Sequence, residues 1–351
     1  MMSISWDITG KIYSSDFATV DQFGYEAIGM DGDYAVIGAR GQDDPYNSGA
    51  AYIFKKGSDG TWTQQQKLYA SDVAYNNVSG SNRGFGGKAA ISGSYVVIGI
   101  AQQDAAPIHV FKKGSDETWT EQFALRPSDP SNDYYGNSVD IDGDYIISGA
   151  FANDDSATDS GSAYIFKKNS DETWSEQIKL VASDPEAHDN FGYSVAINGD
   201  YAIVGAHKVD MDSTNTSTGA AYIFKKNSDE TWSQQIKLMA SDPNTSDNFG
   251  DTVDIQGDYA VIGAEGDDER SSGGAVYVFK KNSDESWSQQ SKLMASDKLK
   301  KLGRGVAIDN NYIVAGARQT SGGTFEGGAA AIFKKNSDET WSEISRLKLV
   351  M

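Results

Sequence analysis

The sequence contains no cysteine. That excludes a disulfide framework, a thiolate nucleophile and a thiolate zinc site. Proline is scarce, at 6 residues in 351. Basic residues are outnumbered, with 30 Lys and Arg against 50 Asp and Glu, a formal charge of −20. A surface without clustered Lys and Arg cannot displace counterions from nucleic acid, nor hold an anionic membrane surface, so neither partner is expected. A self-repelling acidic particle suits cationic or neutral partners instead. No apolar run is long enough to cross a bilayer. The opening MMSISWDITG has neither a basic n-region nor an apolar h-region, so no secretory signal is visible. Among the histidines His109, His188 and His207 no pair has metal-ligand spacing, and no Ser/His/Asp set can be argued.

Glycine and aromatic residues are plentiful, and the aromatics are periodic. The tryptophans stand at Trp6, Trp62, Trp119, Trp174, Trp232, Trp287 and Trp341, and each interval carries the same text. One copy runs from Phe191 to Asp242 and predicts four short strands. Strand A covers Phe191 to Ile197, B covers Asp200 to Ala206, C covers Ala220 to Lys226 and D covers Trp232 to Ala240. All are rich in β-branched and aromatic residues and are bounded by Gly, Asn, Asp or Ser. B and C are nearly continuous apolar runs, as in strands buried on both faces. D alternates, which places Trp232, Ile236, Leu238 and Ala240 on one face and suits an outer strand. Asn198-Gly199 and Asp31-Gly32 read as two-residue hairpin turns between A and B. A four-stranded antiparallel unit repeated along a chain predicts propeller blades.

The FKK text of strand C occurs at Phe54, Phe111, Phe166, Phe224, Phe279 and Phe333, which gives six blades. The D pattern occurs once more, at Ser5 to Ser15, with no blade before it. The expected organisation is therefore an all-β, six-bladed propeller over residues 17–351, with residues 1–16 as a surplus N-terminal strand. The alternative of seven blades needs three strands that the sequence does not supply. The surplus strand could displace the last D strand and close the ring, add to that blade as a fifth strand, or pair with a neighbouring molecule as a homo-oligomer contact. Closure within the chain is favoured because a tethered strand has a high local concentration.

The repeat resembles the FG-GAP repeat, the blade of integrin α-subunit propellers and of related propeller lectins. The FG element stands at Phe23-Gly24, Phe85-Gly86, Phe191-Gly192 and Phe249-Gly250, with Tyr135-Gly136 and Leu302-Gly303 as variants. The GA of GAP stands at Gly38-Ala39, Gly149-Ala150, Gly205-Ala206, Gly263-Ala264 and Gly316-Ala317, with Gly99-Ile100 as a variant and no proline in any copy. The resemblance implies recognition of glycans or of a cell-surface protein, at an extracellular or particle surface, without catalysis. The integrin-type calcium loop of alternating Asp is missing, since the span between A and B is a tight hairpin with too few oxygens for calcium. No metal or other cofactor is therefore carried over. A structural building block is the rival reading.

Copies differ mostly at one end. From the first Lys of strand C to the Trp of strand D is always seven positions, as from Lys225 to Trp232. The B–C and D–A loops vary in length and content. The residue after each GA pair is individual: Arg40, Phe151, His207, Glu265 and Arg318. The B–C loops add Asp43, Asp44, Asp154, Asp155, Asp210, Asp212, Asp267 and Asp268. These thirteen residues are the expected ligand contacts, because binding residues concentrate on loops held by a rigid frame. The competing reading is that each Asp shapes its own turn.

Overall fold

The computed structural model describes residues 11–16, 18, 21–42, 48–71, 84–100, 106–129, 133–214, 216–267, 273–295, 299–319 and 327–348. Their strands form six four-stranded antiparallel sheets, each in simple chain order, and there is no α-helix among the described residues. The chain is an all-β propeller of six blades.

Two compact units each hold three blades. In the unit Ile12–Val181, the first blade is β1 (Phe23–Asp31), β2 (Tyr34–Ala39), β3 (Ala50–Lys56) and β4 (Trp62–Leu68). The second is β5 (Phe85–Ser92), β6 (Tyr95–Ile100), β7 (Ile108–Lys113) and β8 (Trp119–Leu125). The third is β9 (Ser138–Asp142), β10 (Tyr145–Ala150), β11 (Ser162–Lys168) and β12 (Trp174–Leu180). In the unit that includes Ala182–Met351, the fourth blade is β13 (Ser194–Asn198), β14 (Tyr201–Ala206), β15 (Ala220–Lys226) and β16 (Trp232–Leu238). The fifth is β17 (Thr252–Gln256), β18 (Tyr259–Ala264), β19 (Ala275–Lys281) and β20 (Trp287–Leu293). The sixth is β21 (Lys300–Asp309), β22 (Tyr312–Gln319), β23 (Gly327–Lys335) and β24 (Trp341–Lys348). Of the expected N-terminal strand, residues 1–10 lie outside the described residues, and Lys11–Asp16 are described without strand pairing.

The FG element is a turn more than a strand. In the third, fourth and fifth blades the first strand begins only after it, at Ser138, Ser194 and Thr252. Its aromatic ring is driven inward: Phe191 is fully buried and meets Tyr222 and Phe224 edge-on at 5.3 and 6.0 Å. Its glycine takes a positive φ, 91° at Gly192 and 93° at Gly250, which an L side chain resists. The glycine of GA serves a different need. A Cβ on Gly205 would lie 2.1 Å from the carbonyl oxygen of Gly250 in the next blade, and one on Gly38 would lie 2.0 Å from that of Gly86. FG and GA are thus two sides of one backbone-to-backbone contact between successive blades.

The hairpin turn differs slightly from expectation. Asn198 pairs with Tyr201, so the central residues are Gly199 and Asp200, and only the glycine has positive φ, 59°. In the sixth blade Asn310 fills that place at 53°.

The outer strand departs from the expected alternation. In every blade the pairing of third and fourth strands shifts register in the middle, as between Ile223 and Phe224 opposite Ile236 and Gln234. Gln235 is the extra residue of a β-bulge, and a bulge reverses the parity of everything beyond it. Trp232 therefore shares a face with Gln234 and Lys237, not with Ile236 and Leu238. The Trp face looks back to the preceding blade: Trp287 packs on Tyr201 and Trp119 on Tyr34, with ring centroids 5.8 and 5.9 Å apart. The Leu face looks forward, and Leu238 joins the core that holds Phe249 and Val253.

Candidate functional site

The loop end of four blades is tied down before any ligand is considered. An aspartate two residues before the FG aromatic is buried in four blades, as Asp21, Asp133, Asp189 and Asp247. Asp189 Oδ2 accepts the Glu186 N–H at 2.9 Å and Asp247 Oδ2 accepts the Asn244 N–H at 2.7 Å. Their carbonyls accept the N–H groups of Lys208 and Gly266, which follow the GA pairs. The D–A loop thus clasps the start of the B–C loop.

The residues after the GA pairs meet side chains that flank the FG pairs. Arg40 hydrogen-bonds Gln22 Oε1 and lies over the Tyr25 ring at 4.5 Å. Phe151 stacks on Tyr134 at 4.6 Å. His207, 8% exposed, lies 4.0 Å from the Tyr193 ring, and burial, with Lys208 nearby, pushes its pKa down to about 4. Glu265 accepts from Lys301 and Arg304, both at 3.0 Å. Burial raises the Glu265 carboxyl, but the two cations outweigh it and hold its pKa below the ordinary value. Arg318 is exposed on β22.

The loop acids divide. Asp154 Oδ1 accepts the Asp159 N–H at 2.7 Å, Asp210 Oδ1 that of Ser217 at 2.7 Å, and Asp212 Oδ1 that of Thr214 at 2.7 Å, so these three shape turns while remaining exposed. Asp155 pairs with Lys179 of the outer strand. Asp267 is 1% exposed and meets Lys292 at 2.7 Å and the Tyr277 hydroxyl at 2.9 Å. It occupies the third position after GA, which is buried as Gln42, Asn153 and Val209 in other blades. Asp43, Asp44 and Asp268 lie outside the described residues.

Asp267 belongs to a joint that recurs between blades. Where both residues are described, the Ser-Asp pair after an outer strand grips the next blade. Ser241 N–H donates to Gln289 Oε1 at 3.0 Å, and Gln289 Nε2 donates back to Ser241 Oγ at 2.9 Å. Asp242 accepts from Tyr277 at 2.9 Å and from Lys292 at 2.7 Å. Burial opposes ionisation of Asp242, but Lys292 and Tyr277 prevail and keep its pKa low. Asp184 with Lys237 and Tyr222, and Asp129 with Lys179, repeat the arrangement. So do Ser15 and Asp16: Ser15 N–H donates to Gln64 Oε1 at 2.8 Å and Tyr52 donates to Asp16 Oδ1 at 2.8 Å, while Lys67 pairs with Asp16. The N-terminal text therefore carries a working copy of the joint. The second blade replaces it. His109 stands for the tyrosine, fully buried and edge-on to Phe85 at 5.4 Å, and its Nδ1 lies 2.9 Å from Glu121, which stands for the glutamine.

Blades that repeat four strands around an FG–GA backbone contact define a class, the β-propellers built from internal repeats. Five segments, residues 6–54, 119–166, 174–224, 232–279 and 287–333, match the FG-GAP repeat, and they cover more than half of the chain. The chain belongs to the FG-GAP repeat family. Each full match begins at a tryptophan, so the family unit runs from one outer strand into the next blade and takes in the joint. No curated protein matches the chain. Its fold is similar to that of a protein from Lactobacillus plantarum solved as a structural-genomics target, with a TM-score of 0.59 and 11% identity over 92% of this chain and 84% of that one. At that identity the likeness concerns the fold alone.

Proposed function

We propose that the chain is a non-catalytic recognition module whose loop end takes a glycan or a cell-surface protein, at an extracellular or particle surface and without a cofactor. The observation that carries this reading is the contrast at the residue after GA. The backbone there repeats from blade to blade, yet the side chains give Arg40 on Tyr25, Phe151 on Tyr134, His207 beside Tyr193 and Glu265 between two cations. Aromatic faces beside hydrogen-bonding groups suit sugar rings and protein side chains alike. The loop carboxylates Asp154, Asp210 and Asp212 each accept a backbone N–H, which supports a turn-shaping role for them in framing such a surface.

A glycan array and a panel of cell-surface ectodomains, probed with wild-type protein, supply the ligand. Phe151→Ala, Arg40→Ala and Glu265→Ala should then weaken binding by about tenfold or more in at least one case. Glu172→Ala and Glu285→Ala, at the other end of the blades, should leave it unchanged. Binding lost only in the latter pair sinks the assignment, and so does an array without hits in which the protein is shown to be folded.

A further inference from the structure

The segment that leads into the sixth blade reverses the charge found elsewhere. Residues 298–304 read KLKKLGR, four basic residues and no acid, in a chain of net charge −20. The corresponding residues 187–193 and 245–251 read AHDNFGY and TSDNFGD, with acids and neither Lys nor Arg. The scaffold gives up two of its features to allow this. The aspartate buried two residues before the FG aromatic in four blades is replaced by Lys300. Lys301 takes a positive φ, 57°, at a position that is Gly84, Asn190 and Asn248 in three other blades. Glycine and asparagine enter that region readily, whereas a lysine resists it. Lys300 also stands directly opposite Arg318 in the pairing of β21 with β22, a placement that costs stability when both residues carry the same charge. Local costs of this kind collect where side chains are needed for a ligand.

The fold itself shows a carboxylate held there. Lys301 Nζ and Arg304 Nη1 each lie 3.0 Å from a carboxylate oxygen of Glu265, which follows the GA pair of the fifth blade. The Glu265 side chain is 13% exposed, those of Lys301 and Arg304 42% and 35%. One buried carboxylate thus braces two cations that still reach solvent. An arginine fork beside an ammonium suits carboxylate and sulfate groups.

We propose that Lys301 and Arg304, with Lys300 and Arg318 adding charge beside them, bind the carboxylate or sulfate of an acidic glycan. The inference rests on the reading of the loop end as a recognition surface and names the class of sugar it takes. A local positive field steers an anionic group to this one place. The net negative charge of the rest of the chain opposes a long polyanion, so a short acidic sugar is favoured over nucleic acid.

Calorimetric titration of the full chain with three oligosaccharides of equal length tests this: a heparin hexasaccharide, a hyaluronan hexasaccharide and maltohexaose. The expected result is binding of at least one acidic sugar, weakening as salt is raised, and no binding of maltohexaose. Arg304→Ala and Lys301→Asn should each weaken it by about tenfold or more. Lys301→Asn suits the backbone at its position, so it keeps the test open should Arg304→Ala fail to fold. Lys300→Asp restores the residue of the other blades. It should weaken binding without lowering the chemical-denaturation midpoint, a split that a merely structural lysine would not give. Binding of neither acidic sugar overturns the proposal, as does binding that survives all three variants. Hits confined to neutral glycans or to proteins overturn it while leaving the recognition reading in place, whereas an absence of any ligand removes both.

Discussion

The fourth and fifth blades are held together by two lysine–carboxylate bridges of unlike character. At the turn end, Lys225 meets Glu285 at 2.6 Å with more than half of the glutamate side chain in solvent. At the loop end, Lys292 meets Asp242 and the buried Asp267, each at 2.7 Å, with only 13% of the lysine side chain exposed. Side-chain entropy and water cancel most of the attraction in an exposed pair. A pair out of water is different, because removing one partner strands the other. The repeated salt bridges on the uniform end therefore decorate the molecule, while the less conspicuous ones beneath the variable loops join it.

The backbone contact should be harder to break than either bridge. Gly205→Ala forces a methyl against Gly250 O and should cost about 3 kcal/mol, lowering the chemical-denaturation midpoint. A midpoint within error of wild type would show that blades part easily at FG and GA. The bridges themselves come next. Lys292→Met should cost about 2 to 3 kcal/mol, whereas Lys225→Met should leave the midpoint unmoved, and equal effects would erase the distinction drawn above.

The smallest effect concerns pH. Asp254 is half-buried on β17 between the fifth and sixth blades, its oxygens accepting the N–H groups of Ile308 and Ile255, and its partial loss of solvent pushes its pKa up to about 6. The folded state then takes up its proton before the unfolded state does, so stability rises as pH falls from about 6 toward 4. His207 works in the opposite sense: its lowered pKa means that stability is lost as pH falls from about 6.5 toward 4. Comparison with Asp254→Asn isolates the aspartate. The wild type should gain on the variant by up to about 2 kcal/mol between pH 7 and 4. A constant difference across that range would mean that Asp254 keeps its charge. Below pH 4 the joint carboxylates Asp16, Asp129 and Asp242, all held low by their lysines against burial, should bring stability down again.

The fold was legible because its signals are local and repeated six times over. Trp spacing, the apolar B and C runs and the Gly-containing turns each sit within a few residues of one another. The joint was harder to see because its members are far apart: Asp242 and Lys292 belong to successive repeats and are separated by 50 residues. A trace was nonetheless present. The tyrosine and the lysine recur together as Tyr52 and Lys67, Tyr164 and Lys179, Tyr222 and Lys237, and Tyr277 and Lys292, and His109 departs from the tyrosine in the same blade that has Ala124 for the lysine. Alternation in the outer strand misled for a different reason. Residue types do not reveal a bulge, so Trp232 was expected beside Leu238 and lies on the opposite face.

The bulge also gives every blade a direction. Its backward side carries Trp, Gln and Lys, and its forward side carries Leu and leads into the Ser-Asp tail, so a blade stacked in reverse would set tail against tail. A repeat such as the fourth or the fifth arrives with a plug and a socket already in order. A repeat could be inserted or deleted whole without rewriting either neighbour, and the unit of change in such a chain is the span from one tryptophan to the next.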